Sequence, residues 1–174
     1  KGGTTIIYTT DTPRRAYSFG DRTMVLVDGD IKEIGTYLDT WSSPDTLWSA
    51  QAVDKCYNAV RGVLTRQNES INFDFCLFDA NHTIDATCLK DKIAEDYIGK
   101  DVIMGWHGRD VVFAEDGIKM PVSFVSKDKE LFVLEGVSGL DSIKVYSEDD
   151  KEEVSFLPIT TKVTFFDVKE NSIM

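Results

Sequence analysis

The chain has 174 residues, enough for one well-filled core or for two small domains sharing an interface. Its 42% hydrophobic and 28% charged residues are those of an ordinary folded globular protein, and no apolar run approaches the roughly 20 residues that span a bilayer, which excludes insertion as a membrane helix. A formal net charge of −11 repels phosphate, so neither nucleic acid nor an anionic membrane is expected as the main partner.

The opening KGGTT, without Met and without a signal-peptide pattern, reads as a trimmed start or as a module cut from a longer chain. TTIIYTT (residues 4–10) is rich in β-branched and aromatic side chains and predicts a strand, followed by a turn around Asp11 and Pro13. TMVLVDGDIKEIGTYL predicts a hairpin, because Asp28-Gly29 between two apolar runs supplies the positive φ angles of a tight turn.

SSPDTLWSAQAVDKCYNAV (residues 42–60) then predicts the main helix. Ser43 or Ser49 is the candidate cap, with Pro44 suited to the first helical position after Ser43. Val53, Cys56, Tyr57, Val60, Val63 and Leu64 recur at helical spacing and define one apolar face. SINFDFCLFDA alternates strictly, with Ile71, Phe73, Phe75 and Leu77 on one side, and predicts a half-buried strand. CLKDKIAEDYIG predicts a short helix stopped at Gly99.

From Lys100 onward seven short apolar runs follow at close intervals, separated by turn signals such as Asp116-Gly117, Lys127-Asp128-Lys129 and Gly139. The fold class expected is therefore α+β and β-rich: a mixed region over 1–99 with one main and one short helix, then an antiparallel β-sandwich or barrel over 100–174. One continuous α+β domain is the alternative.

No catalytic motif stands out. His82 and His107 lie in no metal-binding spacing, so neither a metal site nor a cofactor is expected. Cys56, Cys76 and Cys88 form no C-x-x-C pair and no closed disulfide set. The first two look like packing residues and Cys88 like a more exposed one, all as free thiols that suit a reducing compartment. Asp74, Asp79 and Asp85 are the carboxylates to inspect for acid–base work, against the plainer reading of an exposed strand face and turn caps. DGDIKE (28–33) and SEDDKEE (147–153) lack the calcium ligand ladder and read as charged hairpin turns. Trp106, between Gly105 and His107-Gly108, is the indole expected on a loop, where it would stack on a sugar ring.

The phrase Asp45, Thr46, Trp48, Ser49, Ala50 and Val53 resembles a recurring sequence of bacteriophage tail-fibre and baseplate proteins, in which it runs into a short helix joining β-rich modules. The resemblance covers about a tenth of the chain. It implies a non-catalytic structural or attachment component of a virion, made in the host cytoplasm, whose partners are other virion proteins or symmetry mates in a trimer. Under it Trp48, Val53, Tyr57 and Val60 are the expected assembly contacts. The second reading is a secreted or cell-surface carbohydrate-binding β-sandwich, with Trp106 contacting a host-surface glycan. The third is a carboxylate-based hydrolase with a deep cleft.

Overall fold

The computed structural model describes residues 3–174, so the first two residues of the KGGTT start lie outside it. It divides into two compact units, one ending at Lys55 and one running from Cys56 to Met174. The boundary expected at Gly99 falls elsewhere because strands on both sides of that glycine pair into one sheet.

In the first unit, residues 4–10 form no strand: a β-forming composition without a strand to pair with does not make one, and residues 4–9 are exposed. The expected turn after Asp11 is instead a short helix, α1 (Pro13–Phe19), with Pro at its start, where the missing N–H costs nothing. The hairpin forms as expected from β1 (Thr23–Val27) and β2 (Asp30–Gly35), with Asp28 at φ 51° and Gly29 at φ 87°. Two short helices follow, α2 (Tyr37–Ser42) and α3 (Leu47–Val53). Each is capped by a threonine. Thr36 Oγ1 accepts the Asp39 N–H, and Thr46 Oγ1 accepts the Ser49 N–H, both at 3.1 Å. Leu47, Ala50 and Val53 give α3 a buried stripe, and α3 packs against both strands of the hairpin.

The expected long helix thus stops at Val53. Tyr57–Gln67 is strand β3, the centre of a five-stranded antiparallel sheet ordered β12-β6-β3-β4-β5. Its partners are β4 (Ser70–Leu77), β5 (Ala80–Asp85), β6 (Asp101–His107) and β12 (Thr164–Phe166). The alternation expected of β4 holds, with Ile71, Phe73, Phe75 and Leu77 buried. Between β5 and β6 the chain makes two single 3₁₀ turns, Thr87–Leu89 and Glu95–Tyr97, rather than one α-helix; Gly99 ends the stretch with φ 80°.

The remaining strands form two smaller open sheets. β9 (Leu131–Ser138) lies between β8 (Phe124–Asp128) and β10 (Asp141–Ser147), and β7 (Val111–Pro121) pairs with β11 (Glu153–Pro158). Asp116-Gly117 is not a turn between two strands. It sits in a bulge of β7, where Ser155 faces Lys119 but Phe156 already faces Phe113. The fold is α+β and β-rich as expected, and antiparallel throughout; none of the sheets among the described residues closes into a barrel.

One core joins the three sheets of the second unit. Leu64, Phe73, Trp106, Met120, Leu134, Val145, Phe156 and Phe165, drawn from eight different strands, are buried in it together. The sheets are also tied by polar groups. Asn58 on β3 donates to the Lys144 carbonyl on β10 at 2.8 Å and accepts the Lys144 N–H at 2.7 Å. Its side-chain amide thereby copies the pairing of a neighbouring strand.

Candidate functional site

The residues expected to form one assembly face do not share one. Trp48 is 43% exposed on α3, whereas Val53 on the same helix is buried. Tyr57 and Val60 lie on β3 in the second unit and point into packed surroundings. Tyr57 stands edge-on to His107 with ring centroids 4.9 Å apart, and Val60 belongs to the core. A helical reading placed them side by side, and the strand separates them.

Trp106 is fully buried in β6, which removes it as a sugar platform. Gly105 beside it does not open a loop: a Cβ there would come within 2.6 Å of the Tyr57 ring. The glycine exists so that Tyr57 and Phe166 can close over the strand. Cys76, expected to pack, is exposed; Cys88 is exposed as expected, and Cys56 is half-buried.

The inspected carboxylates take structural partners. Asp74 accepts hydroxyl hydrogen bonds from Thr65 at 2.7 Å and Thr83 at 2.6 Å. Asp85 accepts from the Thr87 N–H at 2.8 Å, and the hydroxyl and backbone of Thr87 hold its carboxyl below the usual range. Asp79 sits at φ 59° in the turn before β5. Among the described residues no three His, Cys, Asp or Glu side chains are grouped to hold a metal ion, and no helix is long and apolar enough to cross a membrane.

Three features remain as candidates. The first is the outer face of the hairpin, an element that the sequence predicts but to which it assigns no contact role. Val25 and Glu33 point inward, where Glu33 accepts the Asp45 N–H at 3.0 Å. Outward stand two cross-strand pairs, Met24 opposite Ile34 and Leu26 opposite Ile31, exposed by 56, 47, 61 and 54%. A bulge between Val25 and Leu26 leaves Lys32 as the extra residue. That one inserted position restores the phase of the strand, so that Ile31 joins the outer face with the other three. The result is an uncharged apolar quartet in an acidic chain.

The second is a polar clamp in the other unit. The Arg109 guanidinium lies over the Tyr146 ring at 4.1 Å and pairs with Asp128 at 3.2 Å, and the Tyr146 hydroxyl donates to the same carboxylate at 3.2 Å. Burial, and then the Cys56 thiol beside it, push the Tyr146 hydroxyl well above its ordinary 10.0, against the pull of Arg109. Burial also opposes the Arg109 charge, but Tyr146 and Asp128 together more than offset it. Each polar group faces another, so the clamp fastens β8 to β10.

A pH dependence follows from it. A raised hydroxyl contributes stability that is whole below the unfolded value near 10 and is lost as pH rises through the folded value. The denaturant midpoint should therefore fall progressively as pH rises above about 10, with a shallower slope in Tyr146→Phe. Equal slopes for the two proteins would show that the hydroxyl is not the group responsible.

The third is a depression of about 390 Å³ on the five-stranded sheet, lined among others by Arg61 from β3, Asp74, Phe75 and Cys76 from β4, and Asn81, His82 and Thr83 from β5. His82 sits within hydrogen-bond distance of the Leu77 carbonyl at 3.1 Å and is tilted against Phe75.

No family model and no curated protein matches the chain. Among solved structures it is similar to the cytoplasmic molybdate-binding protein ModG, in a PEG-grown form with molybdate bound. The two share 11% identity over 62% of this chain and 94% of that chain, with a TM-score of 0.39.

Proposed function

We propose that the chain is a non-catalytic structural or attachment component of a phage virion, and that it assembles through the outer face of its β1–β2 hairpin. The exposed quartet Met24, Leu26, Ile31 and Ile34 carries this reading. Fully burying one such side chain is worth about 1.5–3 kcal/mol, and roughly half of that is still to be gained at each of these half-exposed positions. A free two-stranded ribbon also leaves both its edges open to further pairing. Contiguous apolar surface rimmed by polar residues marks a contact site on soluble proteins. Ile6, Ile7, Tyr8 and Phe19 add further exposed apolar side chains to the same unit.

The tail-fibre-like phrase around Asp45–Val53 supports the same reading. Its threonine caps α3, and the helix lies directly behind the hairpin, so the phrase builds the support on which the apolar face is presented. The partners are symmetry mates or other virion proteins, with a trimer as the expected self-assembly and the virion as the place of action.

Light scattering coupled to size exclusion tests it over a range of concentrations. A discrete oligomer is expected for the native chain, and the mass of a single chain for Leu26→Glu combined with Ile31→Glu. A single-chain mass for the native protein at every concentration overturns assembly between copies. Identical masses for native and doubly substituted chains remove the hairpin as the interface.

A further inference from the structure

The depression on the five-stranded sheet carries a charge pattern that packing alone does not require. The second unit has three arginines, at positions 61, 66 and 109. Arg66 pairs with Glu95 at 2.7 Å and Arg109 with Asp128 at 3.2 Å. Arg61 has no ion pair and no side-chain hydrogen bond among the described residues, in a chain with 30 acidic and 19 basic side chains. The carboxylate that shares its depression, Asp74, makes no ion pair with it; each of its oxygens accepts a threonine hydroxyl instead.

The strand register sets what surrounds this free guanidinium. Gly62 faces Phe75, so Arg61 falls one step further along, beside Cys76, and Cys76 in turn faces Asn81. All three are exposed on the solvent side of the sheet. Neighbouring strands are about 4.8 Å apart, so Arg61, Cys76 and Asn81 form one transverse row roughly 10 Å long. A planar guanidinium at one end and a carboxamide at the other offer a fork of N–H donors across an uncharged middle. No lysine and no unengaged carboxylate lines the depression.

We propose that this depression binds a carboxylate or sulfate group of a small ligand, gripped by the Arg61 guanidinium and steadied by the Asn81 amide. Two parallel N–H···O bonds from arginine match either group, which a point-like ammonium would not. The volume of about 390 Å³ admits a ligand up to the size of a monosaccharide. The site lies in the second unit and stands or falls independently of the hairpin reading.

Cys76, in the middle of the row, reports occupancy directly, and exposed Cys88 is an internal reference in the same molecule. The experiment measures alkylation of the full chain by iodoacetamide, resolved by peptide mass spectrometry. The probes are sodium sulfate, N-acetylneuraminate as an acidic sugar, neutral N-acetylglucosamine, and sodium chloride at matched ionic strength. Cys76 should be alkylated roughly two- to fivefold more slowly with a bound anionic probe at tens of millimolar, while Cys88 is unchanged. Neither the neutral sugar nor chloride should protect. Protection should vanish in Arg61→Gln and persist in Arg66→Gln, both folded as judged by unchanged unfolding midpoints.

Equal protection by sulfate and by the sugar acid identifies a free small anion as sufficient. Protection by the sugar acid alone identifies an acidic saccharide. No protection by either, equal protection by the neutral sugar, or undiminished protection in Arg61→Gln overturns the proposal.

Discussion

Replacing Asn58 with leucine should cost about 3 kcal/mol of stability, although the substitution adds apolar volume to a buried site. The side chain is 1% exposed and makes two hydrogen bonds to the backbone of one residue, the N–H and the C=O of Lys144. Leucine removes both partners at once and leaves those two backbone groups facing a hydrocarbon. Each unsatisfied group carries a desolvation cost of about 1–3 kcal/mol, whereas the bonds themselves contribute less in net terms. The loss should appear in urea unfolding as a lower midpoint with an unchanged slope.

Aspartate at the same position separates the two bonds. It keeps an acceptor for the Lys144 N–H but turns a second negative oxygen toward the Lys144 carbonyl. Burial raises the pKa of such a carboxyl, so its protonated form is favoured in the folded state and its deficit should shrink as pH falls. A leucine variant with the midpoint of the native protein would mean that Lys144 is satisfied by water, and that the link between β3 and β10 is dispensable.

Phe73→Ala is expected to cost about 3–5 kcal/mol, at the upper end for a core truncation. Phe73 is fully buried, stacks on Phe75 with centroids 5.2 Å apart and meets Phe165 edge-on at 5.4 Å. Its ring also fills the space above Gly62, where a Cβ would lie 2.6 Å from its Cζ. The glycine and the phenylalanine thus occupy one position between them. Truncating the ring leaves a void bounded on one side by a residue that has no side chain to relax into it. Gly62→Ala should not rescue Phe73→Ala, because the same Cβ also collides with the Asp74 carbonyl oxygen. Thermal or urea midpoints of the two single variants and the double variant check this. A double variant more stable than Phe73→Ala alone would show that the strands can part to admit the methyl group.

The positions where sequence reading succeeded and failed have separate physical causes. The Asp28-Gly29 turn and the alternation of β4 depend on local geometry and on one buried face, and both are written in consecutive residues. β3 breaks that condition. It is a central strand, paired on both sides, with Tyr57, Asn58 and Val60 buried in succession or nearly so, which erases the alternation and leaves apolar residues at intervals of three and four. Trp106 was misjudged for the same reason. Every residue of β6 from Val102 to His107 is buried, and glycines read as loop punctuation are there to let rings approach.

The row of Arg61, Cys76 and Asn81 was invisible for another reason. Its members are fifteen and five positions apart, and only the pairing of three strands brings them level. The hairpin quartet was within reach, since Met24, Leu26 and Ile34 alternate plainly. Ile31 is out of phase unless the bulge at Lys32 is known.

The strand order of the large sheet also sets a timetable for making the protein. β6 lies between β3 and β12, with Met104 flanked by Val60 on one side and Phe165 on the other. A ribosome releases the first of these neighbours before β6 and the second only some sixty residues later. Through that interval one rim of a nearly all-apolar strand has no partner. Nascent chains should therefore be vulnerable to cross-pairing with one another, and complete ones should fold slowly, as topologies with distant partners do. Stopping synthesis at Lys162 should yield not a slightly smaller domain but an insoluble one, because the strand left bare is the one most deeply committed to the interior.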